Sequence, residues 1–169
     1  MSKLGDAGAC EATITALTAQ RDHAVAVELC YKSVFSLCGN ESNRLKFGST
    51  SACEMVASTM AQHNEIPSLA GYGCKAVAAL SGSDSNRVRL ASAGACEQVV
   101  LAMRVHMDDP IVAENSCWAA CRLSLKNDEN KAALHKHGIS EVLIKLVSKH
   151  QGIAAVAEKG REAMRVFLG

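Results

Sequence analysis

Apolar residues in this chain follow a helical rhythm from end to end, and the rhythm breaks at regular intervals. Between Cys96 and His106, Val99, Val100 and Met103 recur at the spacing of one helix face, which predicts a helix there. A shorter amphipathic segment, Asn86 to Ala91, precedes it and ends at Ala93-Gly94; glycine just past a helix acts as a stop. The next break is Asp108-Asp109-Pro110, where proline is tolerated in a first helical turn, and a longer helix is predicted from there to about Leu125. Its inward positions Val112, Ala113, Ala120 and Leu123 match Leu69, Ala70, Val77 and Leu80 earlier in the chain.

That match belongs to an internal repeat. Glu11, Glu54, Glu97 and Glu141 are 43, 43 and 44 residues apart. Three further columns share the phase: Asn43, Asn86 and Asn130; Gln20, His63, His106 and His150; and Leu37, Leu80, Leu123 and Phe167. Each period holds a short helix, a middle helix and a long third helix, so about eleven helices and no strand are expected. We divide residues 1–169, read as a single domain, into a partial repeat at 1–40 and repeats at 41–83, 84–127 and 128–169. The first period's short first helix is expected to be missing or vestigial, since only Met1 to Ala7 precede Gly8. The second carries Gly48-Ser49-Thr50-Ser51 where Ala-Gly-Ala would stand. A unit of this size cannot bury its helices alone, so stacked neighbours must share one core.

Three helices in about 40–47 residues is the range of armadillo and HEAT repeats. The run Asn86-Arg87-Val88-Arg89-Leu90-Ala91-Ser92-Ala93-Gly94-Ala95-Cys96-Glu97, with a second copy from Asn130-Lys131 through Gly138-Ile139-Ser140-Glu141, resembles the armadillo family. The resemblance covers nearly the whole chain. It implies an all-α, right-handed armadillo-like α-solenoid whose third helices line a concave groove that binds an extended peptide or partner protein.

Composition agrees with a helical scaffold. Apolar residues make up 49% and aromatics only 4%, and there are two prolines, Pro67 and Pro110. That mix suits close helix packing better than a β-sandwich. The net charge of +1 gives no sign of the basic patch that marks a nucleic-acid binder. No apolar run reaches the length of a membrane span, and Met1 to Asp6 lacks a signal-peptide core. The eight cysteines fall at core-like helical positions, which predicts small buried thiols without disulfides, in a cytoplasmic or nuclear compartment.

No catalytic motif, metal site or cofactor site is expected. The chain has no Gly-rich phosphate loop, no H-E-x-x-H and no G-x-S-x-G. Asp108-Asp109 sits where a helix begins, a place that favours acidic residues. Cys117 and Cys121 are not at the C-x-x-C spacing usual for zinc, and His135 and His137 could join them only through packing. The histidine column closes each middle helix, where a histidine can cap free carbonyls or meet the helix dipole.

The family groove supplies the candidate site. In the nuclear-import adaptors that the family includes, successive third helices carry a Trp and an Asn four residues apart. The resemblance places Trp118 at the first position and Arg122 at the second. Their equivalents are Lys32 and Ser36, Lys75 and Ala79, and Glu162 and Val166, so only Trp118 matches. The expected lining is Glu28, Lys32, Lys75, Glu114, Trp118, Arg122, Glu158 and Glu162, basic toward Lys75 and acidic toward Glu158 and Glu162. Such a lining favours a partner segment with one acidic and one basic end. Trp118 either faces the partner or packs between third helices; charged neighbours in its column favour exposure. The second reading is a self-associating module or part of a longer array. Ile14, Leu17, Val25, Val27 and Leu29 lie near an N-terminal end with little sequence to cover it.

Overall fold

Third helices form the spine of the molecule. The computed structural model describes residue 5 and residues 7–169. Among them are eleven helices and no strand: α1 (Ala9–Ala19), α2 (Ala24–Leu37), α3 (Glu41–Gly48), α4 (Ala52–Gln62), α5 (Pro67–Leu80), α6 (Asp84–Ser92), α7 (Ala95–Val105), α8 (Pro110–Ser124), α9 (Asp128–Lys136), α10 (Ile139–Lys149) and α11 (Ala154–Phe167). The long helices α2, α5, α8 and α11 pack side by side in that order. Middle helices α1, α4, α7 and α10 stack in parallel register, and each short helix α3, α6 and α9 lies against the preceding middle helix. None of these helices is long and apolar enough to cross a membrane.

The periodic apolar positions form one continuous core. Val99, Val100, Met103, Val112, Ala113, Ala120 and Leu123 are buried, as are Leu69, Ala70, Val77 and Leu80. At the N-terminal end, Ile14, Leu17 and Val27 are also buried, because α1 and α2 pack against each other. Only Val25 and Leu29 of that group stay open, 72% and 58% exposed.

Two turn chemistries join short to middle helices. Gly94 and Gly138 adopt φ of 87° and 84°, left-handed backbone that glycine enters without a Cβ clash. The second period has no such residue, since Ser51 has φ of −82°. Its turn is held by hydroxyls instead: Ser49 Oγ donates to Lys46 O and Thr50 Oγ1 to Phe47 O, each at 2.7 Å. Arg89 of the next repeat clasps the same turn, donating to Gly48 O, to Thr50 O at 2.7 Å and to the Glu54 carboxylate.

The repeat columns are ties between neighbouring units. Asn130 Nδ2 donates to Leu123 O and Arg87 O, both at 3.0 Å. Asn86 Nδ2 likewise donates to Leu80 O at 3.2 Å and Arg44 O at 3.0 Å. Thus the Asn column closes the end of the third helix, where the Leu column lies, and grips the previous short helix. Cys10, Cys53 and Cys96 place Sγ 3.9–4.0 Å from the carbonyls of Asn43, Asn86 and Asn130. An ideal Cβ at Gly48 would stand 2.3 Å from Asn86 Oδ1, so the approach of α3 to that amide requires glycine.

The histidines are the C-cap residues of their own middle helices, and their rings meet carbonyls of the preceding repeat. His63 Nε2 meets Arg21 O at 2.7 Å, His106 Nε2 meets Asn64 O at 2.7 Å, and His150 Nε2 meets Met107 O at 2.9 Å. Each carbonyl follows the equivalent position one repeat earlier. A carbonyl oxygen only accepts, so Nε2 carries the proton in every case. Periodicity along one helix shows where such a histidine sits and leaves its partner on the next unit hidden.

Candidate functional site

Small residues on α5 shape the surface above it. Ala78 and Ala79 leave α5 thin there, so side chains from α2 and α8 meet across it. Phe35 of α2 and Trp118 of α8 make an edge contact with ring centroids 6.2 Å apart. Lys75 Nζ lies 4.3 Å from the Phe35 centroid, and Lys32 Nζ lies 4.4 Å from that of Tyr72. Both are cation–π geometries. Of the six aromatic residues, Tyr31, Phe47 and Phe167 are buried in the core, and the half-buried Phe35, Tyr72 and Trp118 all occupy this face.

Three cavities run along it. The first, about 410 Å³, lies beneath Phe35 and Trp118 and is flanked by Arg44, Ala79, Gly82 and Arg122. The second, about 500 Å³, shares Trp118 and adds Tyr72, Lys75, Glu114 and Lys159. The third, about 550 Å³, shares Tyr72 and Ile111 with the second and reaches Glu28. Shared walls make them one continuous track across α2, α5 and α8.

The expected lining residues divide into three groups. Trp118, Arg122, Lys75 and Glu114 border the first two cavities. Glu28 borders the third and is ion-paired with Lys32 at 2.6 Å. The hydrogen bond from Lys32 holds the Glu28 carboxyl below its ordinary pKa, and the same bond raises Lys32. Glu158 and Glu162 sit on α11 outside these three cavities, with Lys159 3.1 and 3.9 Å from them. That lysine offsets the acidic end of the expected gradient, and its own pKa is raised chiefly by the hydrogen bond to Glu158. Trp118 is half-buried: it packs on the core and on Phe35, and it borders the first two cavities.

Arg122 is set apart from the other charged residues of the face by a buried donor. Its Nε is buried without a hydrogen-bond partner, and the guanidinium makes no ion pair among the described residues. Phe35, Tyr72 and Arg44 join the site although one helical stripe did not point to them. A usable signal was present, because Phe35 and Tyr72 lie on third helices outside the apolar columns.

The acidic pair is structural. Asp109 caps α8, accepting from Ile111 N at 2.8 Å and Val112 N at 3.1 Å, and Asp108 pairs with Lys149 of α10. All eight cysteines are free and buried.

Comparison with protein-family models and with curated protein sequences returns no match. Among solved structures, the chain is similar to a designed armadillo repeat protein in complex with the peptide (KR)4, with a TM-score of 0.53 and 17% identity. The alignment covers 98% of this chain and 84% of that one. The fold is therefore an armadillo-like helical solenoid.

Proposed function

We propose that the chain is a non-enzymatic interaction scaffold that holds an extended peptide, or an extended segment of a partner protein, along the face of α2, α5, α8 and α11. The observation that carries this reading is the gathering of Phe35, Tyr72 and Trp118 into one continuous track of cavities. In a chain with 4% aromatics, half-buried rings in a row match the anchors that dominate binding energies. The armadillo-like fold supports the reading, since the similar designed protein carries a peptide. The buried thiols suit a reducing compartment such as the cytoplasm.

Helices packed about 10 Å apart make a face about 30 Å across, which an extended segment of about ten residues spans. A displayed library of random peptides of about that length should yield binders to the folded protein. Trp118→Ala should weaken the enriched peptides by about 2 kcal/mol while the circular dichroism spectrum stays that of the folded parent and unfolding stays cooperative. A library that yields no binder, or binders indifferent to Trp118→Ala, overturns the proposal.

A second reading rests on Val25 and Leu29, which stay exposed on the outer side of α2. Self-association through this edge predicts a mass by light scattering that rises with concentration and returns to one chain on Leu29→Lys.

A further inference from the structure

The first cavity has a chemical preference of its own. Its walls are the rings of Phe35 and Trp118, small residues of α2 and α5, and the guanidinium side chains of Arg44 and Arg122; no carboxylate of the described residues borders it. Arg44 is partly engaged, because Nη1 donates to Cys38 O at 2.7 Å. That bond lays the side chain across Gly82, where an ideal Cβ would stand 2.8 Å from Arg44 Cδ. Arg122 has no partner at all among the described residues, and its Nε is already out of water. A guanidinium carries five donors in a planar fork that fits a carboxylate. Elsewhere on this face Lys32 is paired with Glu28 and Lys159 with Glu158, while Lys75 lies over the Phe35 ring. The cavity is thus an aromatic floor with two guanidinium groups and no anion.

We propose that this cavity is the specificity pocket of the peptide track, and that it takes an aspartate or glutamate side chain of the bound segment. The inference rests on the peptide-binding reading above. Charge complementarity chooses the occupant: a carboxylate supplies the hydrogen bonds Arg122 lacks, and the methylenes of the same side chain lie on Phe35 and Trp118. Because the cavity opens at Trp118 into the second one, the segment runs through it, and an internal side chain fits better than a chain end. A basic segment such as (KR)4, the ligand of the similar designed protein, would meet like charge here.

The test uses the full chain and the same displayed library. Enriched sequences should share an Asp or Glu at a fixed place. Synthetic copies with blocked termini should quench or shift the fluorescence of Trp118, the chain's sole tryptophan. Replacing the acidic residue of the peptide by its amide should weaken binding to the parent about tenfold. Against Arg122→Gln the same replacement should change binding less than about twofold, because the two losses are coupled. Arg122→Lys should recover only part of the coupling, since it keeps the charge and loses the fork. Peptides that depend on Trp118 but show no acidic preference, or additive losses in the cycle, overturn this inference and leave the peptide-binding reading standing. So does a (KR)4 peptide that competes for the cavity. A requirement for a free C-terminal carboxylate in place of the acidic side chain also overturns it. A library with no binder defeats both.

Discussion

Between about pH 8 and pH 10 the protein is expected to lose most of its stability, because its thiols are buried and cannot ionise in place. Burial pushes Cys38, Cys53, Cys74 and Cys121 up to about 12 and Cys96 to about 11, from an ordinary value of 9.0. Cys117 moves in the same direction for the same reason. The native state then holds protons that the unfolded chain releases above its own value, so stability is full below 9.0 and falls as pH rises toward the folded values. One pH unit into that window costs about 1.4 kcal/mol per thiol. For these six the sum at about pH 10 is roughly 8 kcal/mol, which matches the net stability of an ordinary domain. Urea midpoints measured in steps from about pH 8 to pH 10 should fall steeply. Cys74→Ala should make the fall shallower, since Cys74 is fully buried and then has no proton to lose. Thiol reagents should label few groups on native protein and all eight after denaturation. A flat midpoint across that range would contradict this account of the core.

The same arrangement separates what one strand of sequence can show from what it cannot. The 43- and 44-residue columns revealed the helices, their order and the glycine turns, because each depends on spacing along a single segment. Asp109 was equally legible as a cap, since its target amides lie two and three residues away. Contacts between segments were not legible. Phe35 meets Trp118 only because the intervening α5 carries Ala78 and Ala79, so the contact is set by what is absent between the rings. Arg44 follows Asn43 of the repeat column in sequence; its place in the first cavity follows from Gly82, far away in sequence. The acidic end expected at Glu158 and Glu162 was read from one helical stripe, and Lys159 on the adjoining stripe was left out of the balance.

This difference bears on function as well as on fold. Buried columns repeat because every interface between units solves the same packing problem. The third-helix face does not repeat: Lys32, Lys75, Trp118 and Glu162 occupy equivalent places with different chemistry. A regular core presenting an irregular face gives each bound residue a different environment. That arrangement favours recognition of a particular sequence over uniform adhesion.

Replacing Asn130 by alanine is expected to cost about 3 kcal/mol and to uncouple the last unit from the rest. The side chain is 3% exposed, and its amide donates to Leu123 O at the end of α8 and to Arg87 O in α6. Removing it takes the side-chain donor from Leu123 O at the helix end, worth about 1–3 kcal/mol, takes a second donor from Arg87 O, and opens a small void. In a solenoid, stability is carried by unit and interface contributions. Losing a bond to Arg87 O therefore weakens the contact of α9 with its neighbour specifically. Hydrogen exchange should quicken first in α9, α10 and α11, with α4 and α5 following only on global unfolding. Asn130→Asp is the sharper variant. An ionised carboxylate has no proton to give and would face two carbonyl oxygens, whereas its protonated form restores one donor. Its pKa in the folded state is therefore raised above the unfolded value, about 3.9. The stability it contributes is present below that value and is lost as pH rises through the folded one. Relative to the parent, Asn130→Asp should recover stability as pH falls from about 7 to about 4, and Asn130→Ala should not. Equal and pH-independent losses for the two variants would show that the amide acts as a space-filler, with no part in tying the repeats together.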